Sequence, residues 1–281
     1  MAEVFDAHQC QLGEGPLWHP KRQELFWFDI LAKELRTKER VWQFDEHVSA
    51  AGWVDHDTLL VASATSLSRF DIQSGLSEEI VPLEADNPVT RSNDGRADPW
   101  GGFWIGTMGL NAEEGAGAIY RFHKGELRVI AADITISNAI CFSPDRSRAY
   151  YTDTADGRIL MVALDDDGWP SQEPRVFVDV SGEDFGADGA VVDADGNLWN
   201  AQWGASRVAC YDPDGQFVRA VDIPAKHATC PAFGGSDFTT LYCTSATTGL
   251  APPVADQSPE QGQTFAISDV ARGQQEHRVI L

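Results

Sequence analysis

Four polar residues, Glu14, Asn93, Asn138 and Asp188, open segments of the chain that line up with one another: "EGPLWHP", "NDGRADP", "NAICFSP" and "DGAVVDA". Taken singly, each is an ordinary turn residue ahead of a strand. Taken together, two carboxylates and two carboxamides form a hard, oxygen-rich donor set without a cluster of thiols or imidazoles. Carboxylates brought close repel and raise one another's pKa, a penalty that a divalent cation removes. Such donors suit calcium, magnesium or manganese, and ferrous iron or zinc could also bind. Asn138 is the most informative of the four, because in "ISNAICF" it interrupts a strand entry among apolar neighbours.

These residues must be positioned by a repeat. Pro20, Pro99 and Pro144 hold the seventh place of three segments, and each segment is followed by a β-rich run such as "LFWFDI", "FWIGTM" or "AYYTDT". "CPAFGGS" from Cys230 and "AAGWVDHDTLLVAS" from Ala50 fill two further places. Units spaced by about 40–50 residues are the period of propeller blades. Sustained helical periodicity is missing, while glycine and proline gather in turn dipeptides. The expected fold is an all-β, six-bladed β-propeller, with residues 1–281 as one domain. The first strand of each blade lines the central channel. The register therefore puts Glu14, Asn93, Asn138 and Asp188 at one level, with Cys230 and Ala50 in the other two places, as a metal site in that channel. Ring closure is expected to pair "AEVFDA" with the C-terminal "HRVIL", and Trp18, Trp53 and Trp203 are expected to border the channel.

Composition narrows the function classes. The 43 acidic against 21 basic residues give a formal charge of −22, which repels phosphate backbones and anionic membranes. Neither nucleic acid nor membrane is an expected partner, and no obligatory protein partner is evident. The first sixteen residues hold neither a basic nor an apolar stretch, so no signal peptide is expected. The five cysteines are odd in number and form no C-x-x-C pair. They read as reduced, buried thiols of a cytoplasmic protein. "LDDDGW" (164–169) lacks the ligand spacing of an EF-hand and reads as a surface turn. No nucleophile elbow, P-loop or dinucleotide fingerprint follows a strand.

"GEGPLW", "RSNDGRADPWGGFWIGTM", "ITISNAICFSPD", "YYTDT" and "DGAVVDADGNLW", in that order, resemble the gluconolactonase/regucalcin (senescence-marker protein) family over nearly the whole chain. The resemblance implies a propeller that hydrolyses sugar lactones with one divalent cation in its channel. It implies Glu14, Asn138 and Asp188 as metal ligands and Arg91, Asn93 and Asp94 as substrate contacts. For the reaction, Asp188 is the best candidate to assist deprotonation of the attacking water as well as being a ligand. A further substrate contact falls near Asn111, with Glu113 or Glu114 as substitutes. The family often carries glycine after the ligand asparagine, where this chain has Ala139. The rival readings are a propeller that cleaves phosphoesters or organophosphates, and a non-catalytic calcium-binding propeller.

Overall fold

The computed structural model describes residues 1–250 and 259–281. Among them there is no helix, and none therefore long and apolar enough to cross a membrane. Residues 13–43, 48–82, 90–134 and 137–179 each form a four-stranded antiparallel meander. Tight turns between short β-rich runs pair each strand with the next in the chain.

The remaining eight strands form one sheet, where two separate sheets were expected. One half contains Gly186–Val192, Leu198–Trp203, Arg207–Tyr211 and Phe217–Asp222; the other contains His227–Gly234, Thr240–Ala246, Thr264–Ile267 and Glu3–Asp6. A single residue pair, Trp203 with His227, joins the halves. The N-terminal strand pairs with Thr264–Ile267, not with the "HRVIL" segment. This pairing staples the two ends of the chain into one sheet.

The innermost strands pack side by side in a closed, propeller-like circuit. Gly13–His19 lies against Val48–Trp53, which lies against Thr90–Ala97. The circuit continues through Ser137–Phe142, Gly186–Val192 and His227–Gly234 and returns to Gly13–His19. Large side chains such as Trp27, Trp104 and Trp199 are buried between the sheets, so hydrophobic burial holds the sheets to one another. All five cysteines are buried free thiols among the described residues.

One end of the axis is closed by Arg96 and the C-terminal segment. The Arg96 guanidinium donates to the carbonyl oxygens of Ile140, Ala190 and Pro231, three strands of the circuit, and to the carboxylate of Glu276. The "HRVIL" segment runs beneath the closed end. Val279 N and Arg278 Nε donate to the carbonyls of Trp53 and Val54, and Ile280 N donates to that of Gly101. Trp53 accordingly borders this end, donating its indole N–H to Glu276 O. Trp18 is buried in the wall and stacks on Tyr242. Breaking a buried ion pair by removing one partner costs about 3–5 kcal/mol. Glu276→Ala is expected to lose stability on that scale, read as a drop in the urea midpoint at constant m. An unchanged midpoint would mean that the three carbonyls satisfy Arg96 without Glu276.

Candidate active site

At the open end of the axis lies a cavity of about 330 Å³. Glu14, Arg91, Asn93, Asn138 and Asp188 all line it, although nearly 180 residues separate the first from the last in the chain. Each innermost strand delivers its residue through the same local device. The ladder with its neighbour slips between Glu14 and Leu17, Ser92 and Gly95, Asn138 and Cys141, and Ala187 and Ala190. A bulge leaves residues unpaired and re-aims their side chains. Glu14 and Asn138 stand just before the slip, whereas Asn93 and Asp188 are its first unpaired residues. The single level expected from sequence is thus staggered by one residue, and the bulges bring the four side chains to one cavity regardless.

Crowding at the axis explains the small residues beside them. A Cβ on Gly189 would lie 2.4 Å from Cys230 Sγ, so Asp188 must be followed by glycine for the neighbouring strand to approach. Gly15 has a φ of 53°, and Ala139 adopts nearly the same left-handed conformation at 57°. Alanine there carries a strain of roughly 1–2 kcal/mol that glycine would avoid. Cys230 and Ala50, the other two residues of the expected level, are buried and do not line the cavity.

A directional hydrogen-bond chain orients the amides. Arg91 Nη1 donates to Asn93 Oδ1 at 2.7 Å and to Ser92 O at 2.9 Å. Asn93 Nδ2 donates to Ser137 O at 2.8 Å and reaches Asn138 Oδ1 at 3.4 Å. Asn138 Nδ2 donates to Thr154 Oγ1, which in turn donates to Ala187 O. With its nitrogen engaged by Thr154, Asn138 keeps its oxygen as the acceptor on offer. Glu14 and Asp188 each accept one backbone N–H, from Gly15 and Gly189.

The electrostatics are unbalanced by design of the sequence. Burial, then the neighbouring Asp94, pushes the Glu14 carboxyl up from 4.5 to about 8, against the Gly15 N–H and Arg91. Burial, then Glu14 and Asp94, drives Asp188 well above its ordinary range. Asp94 rises to about 6 through burial, opposed by the Ile140 N–H and Arg96. Burial lowers Arg91 to about 10, with Glu14 opposing. Along the axis the four buried carboxylates of Glu14, Asp94, Asp188 and Glu276 meet the two buried guanidiniums of Arg91 and Arg96. The formal excess is two negative charges, which one divalent cation would cancel. The oxygen donors of Glu14, Asn138 and Asp188 fit such an ion.

The other expected contacts fall elsewhere. Asp94 is buried but does not line the cavity; its Oδ2 accepts the Ile140 N–H at 2.7 Å and ties two innermost strands together. Asn111 lies on an exposed turn, where its amide donates to Glu113 Oε1 at 2.9 Å, and neither residue lines the cavity. Glu114 is also exposed and outside it. Thr154, Met108 and Thr248 line the cavity without having been expected to. Met108 lies at the end of the second strand of its sheet, and Thr154 and Thr248 lie just beyond theirs. Trp203, expected at the channel, does line it.

Residues 12–247 match the family profile described as SMP-30/Gluconolactonase/LRE-like region. The chain belongs to this family. A solved structure described as a calcium-binding protein, regucalcin, from Agrobacterium tumefaciens str. C58 is 39% identical, with a TM-score of 0.97. That match covers 100% of this chain and 98% of the other. An L-arabinolactonase of Azospirillum brasilense is 36% identical over 90% of this family member and 87% of its own length. A 6-deoxy-6-sulfogluconolactonase of Pseudomonas putida is 34% identical, over 91% and 90%.

The buried acids make stability depend on pH. A carboxyl whose pKa is raised by folding holds more protons folded than unfolded. Its contribution is fully present below the ordinary value of 4.5 and is lost as the pH climbs to about 8 for Glu14. Chelator-treated protein is therefore expected to melt at falling temperature across that window, and Glu14→Gln to flatten the slope. A slope identical in the variant would show that Glu14 is not the buried acid responsible.

Proposed function

We propose that this protein is a divalent-cation-dependent hydrolase that opens a sugar (aldono-)lactone to the aldonic acid. The observation that carries the reading is the convergence of Glu14, Asn138 and Asp188 with Arg91 in one cavity. The relatives named as lactonases support the substrate class. We further propose that the eight-stranded sheet counts as two blades, giving six in one domain over 1–281. In support, one residue pair joins its halves and each half begins with a bulged innermost strand.

In this reading Glu14, Asn138 and Asp188 hold the cation. When bound, it supplies Lewis-acid polarisation of the lactone carbonyl and charge stabilisation of the transition state. Calcium, magnesium, manganese, zinc and ferrous iron are all candidates. Arg91 donates through its remaining N–H groups to the oxygens of the sugar, and Asn93, which accepts from Arg91 Nη1, fixes the guanidinium. One Asp188 oxygen is anchored by the Gly189 N–H, and the other receives a proton from the attacking water. The water oxygen bonds to the carbonyl carbon, the ring C–O bond breaks, and the ring oxygen leaves as a hydroxyl carrying the transferred proton. A base of this kind adds typically 10²–10⁴-fold.

The test is hydrolysis of an aldono-lactone panel by chelator-stripped protein, with each cation returned singly. Turnover should vanish on stripping and return with at least one ion. Asn138→Ala and Asp188→Ala should lose ion binding and turnover together, while Arg91→Ala should mainly raise KM. Wild-type turnover by Asp188→Ala in stripped buffer would overturn the scheme. Ion binding without hydrolysis of any lactone would favour the calcium-binding reading.

A further inference from the structure

Apolar side chains line the cavity beside the polar set: Leu12 and Ile136 lie two residues before Glu14 and Asn138, Met108 pairs with Arg91, and Trp203 pairs with Gly186, two residues before Asp188. Trp203 is held rigidly: its ring stacks on the His227 imidazole with centroids 3.9 Å apart and planes 17° from parallel. His227 Nδ1 lies 2.9 Å from Thr248 O, and Thr248 itself lines the cavity. Gly249 brings the backbone against both rings, with room for a Cβ only at 3.4 Å from each.

Opposite the first residue of each innermost strand, the second strands carry Asp29, Ser63, Gly109, Asp153, Trp203 and Ala246. At two of these places the aspartate folds back onto its own sheet. Asp29 accepts the N–H groups of Gln11 and Leu12, and Asp153 those of Thr135 and Ile136. Trp203 gives up that structural role and presents a large aromatic ring at the cavity. The same residue makes the one pairing that merges two sheets. Trp203 is the one aromatic residue at these six places, and of the six it alone lines the cavity.

Charge gives the wall its meaning. Arg91 is the one basic residue lining the cavity among the described residues, and its Nη1 is already engaged by Ser92 and Asn93. A sulfonate or phosphate on the far end of a substrate would be desolvated against apolar side chains with no basic side chain beyond Arg91 to compensate. Family membership does not decide this point, since one relative is named for a 6-sulfonated lactone.

We propose that Trp203 is a specificity-determining residue of the lactonase site, selecting lactones with an uncharged tail against those bearing a terminal sulfonate or phosphate. Its indole packs against the C–H face of the sugar, with His227 as the backing that keeps the ring in place. The inference rests on the lactonase reading for the reaction but not for binding, and the experiment separates the two.

Binding of D-gluconolactam, a neutral lactone mimic that cannot ring-open in the assay, is measured by calorimetry beside its 6-phosphate. Hydrolysis of D-glucono-δ-lactone and its 6-phosphate is followed in parallel. The wild type should prefer the neutral member of each pair by about 100-fold, the scale reached when a site lacks a partner for a buried polar group. Trp203→Ala should raise KM for the neutral lactone roughly tenfold with kcat nearly unchanged, as expected for loss of uniform binding. Trp203→Phe should restore most of it, and Trp203→Arg should shift the preference toward the phosphates at least about tenfold. Equal affinity of the wild type for both lactams overturns the proposal, whatever the variants do. So does a Trp203→Ala effect confined to kcat, or a preference unmoved in Trp203→Arg. Selective lactam binding without turnover of any lactone would overturn the proposed reaction and leave the specificity assignment standing.

Discussion

Burial of like charges on a single axis is the constraint from which the rest of this structure follows. Glu14, Asp94 and Asp188 are all nearly inaccessible to solvent; burial raises all three, Asp94 adds to the rise of Glu14, and both add to that of Asp188. Such a group is tolerated only where the surrounding structure over-determines it. The circuit of innermost strands does so: each carboxylate is anchored by a backbone N–H of a strand that its neighbours on both sides hold in place. A negative field kept so deep attracts a cation.

The two ends of the axis divide the work. At the closed end Arg96 ties three strands and the C-terminal segment together through carbonyls and Glu276, which both seals the channel and brings positive charge beneath Asp94. At the open end the hydrogen-bond chain from Arg91 through Asn93 and Asn138 to Thr154 spans neighbouring sheets. Its members have little freedom to turn, so the acceptor oxygen of Asn138 is pre-positioned and no side-chain ordering remains to be done on binding. Rigidity of the axis and readiness of the site are one property.

Symmetry brings distant residues together, and its local failures give the site its individuality. The bulge recurs in every innermost strand, yet the residue at the bulge differs from sheet to sheet. Likewise the second strands end in aspartate twice, where the side chain caps its own sheet, and in tryptophan once, where it walls the cavity. A repeat fold can thus change a cavity wall by one substitution without touching the strands that carry the load of packing.

The sequence by itself determined the β-rich runs, the repeat period and the four polar residues that line the cavity, because each of these is a local pattern: apolar runs after polar turns, turn dipeptides, and a polar residue at a fixed offset before an apolar run. Glu14, Asn93, Asn138 and Asp188 were legible for that reason, as was Arg91 through its motif. The tertiary structure decided what depends on contacts between sheets. It staggered the donors by one residue, since bulge register is set by the partner strand. It turned Asp94 away from the cavity onto Ile140, and left Asn111 on an outer turn beside Glu113. It paired the N-terminal strand with Thr264–Ile267 and sent the last residues under the axis, because Val279 finds a fully buried place against Gly52 there. Two sheets became one through Trp203 and His227, a stacking contact between residues of different sheets that no local pattern announces.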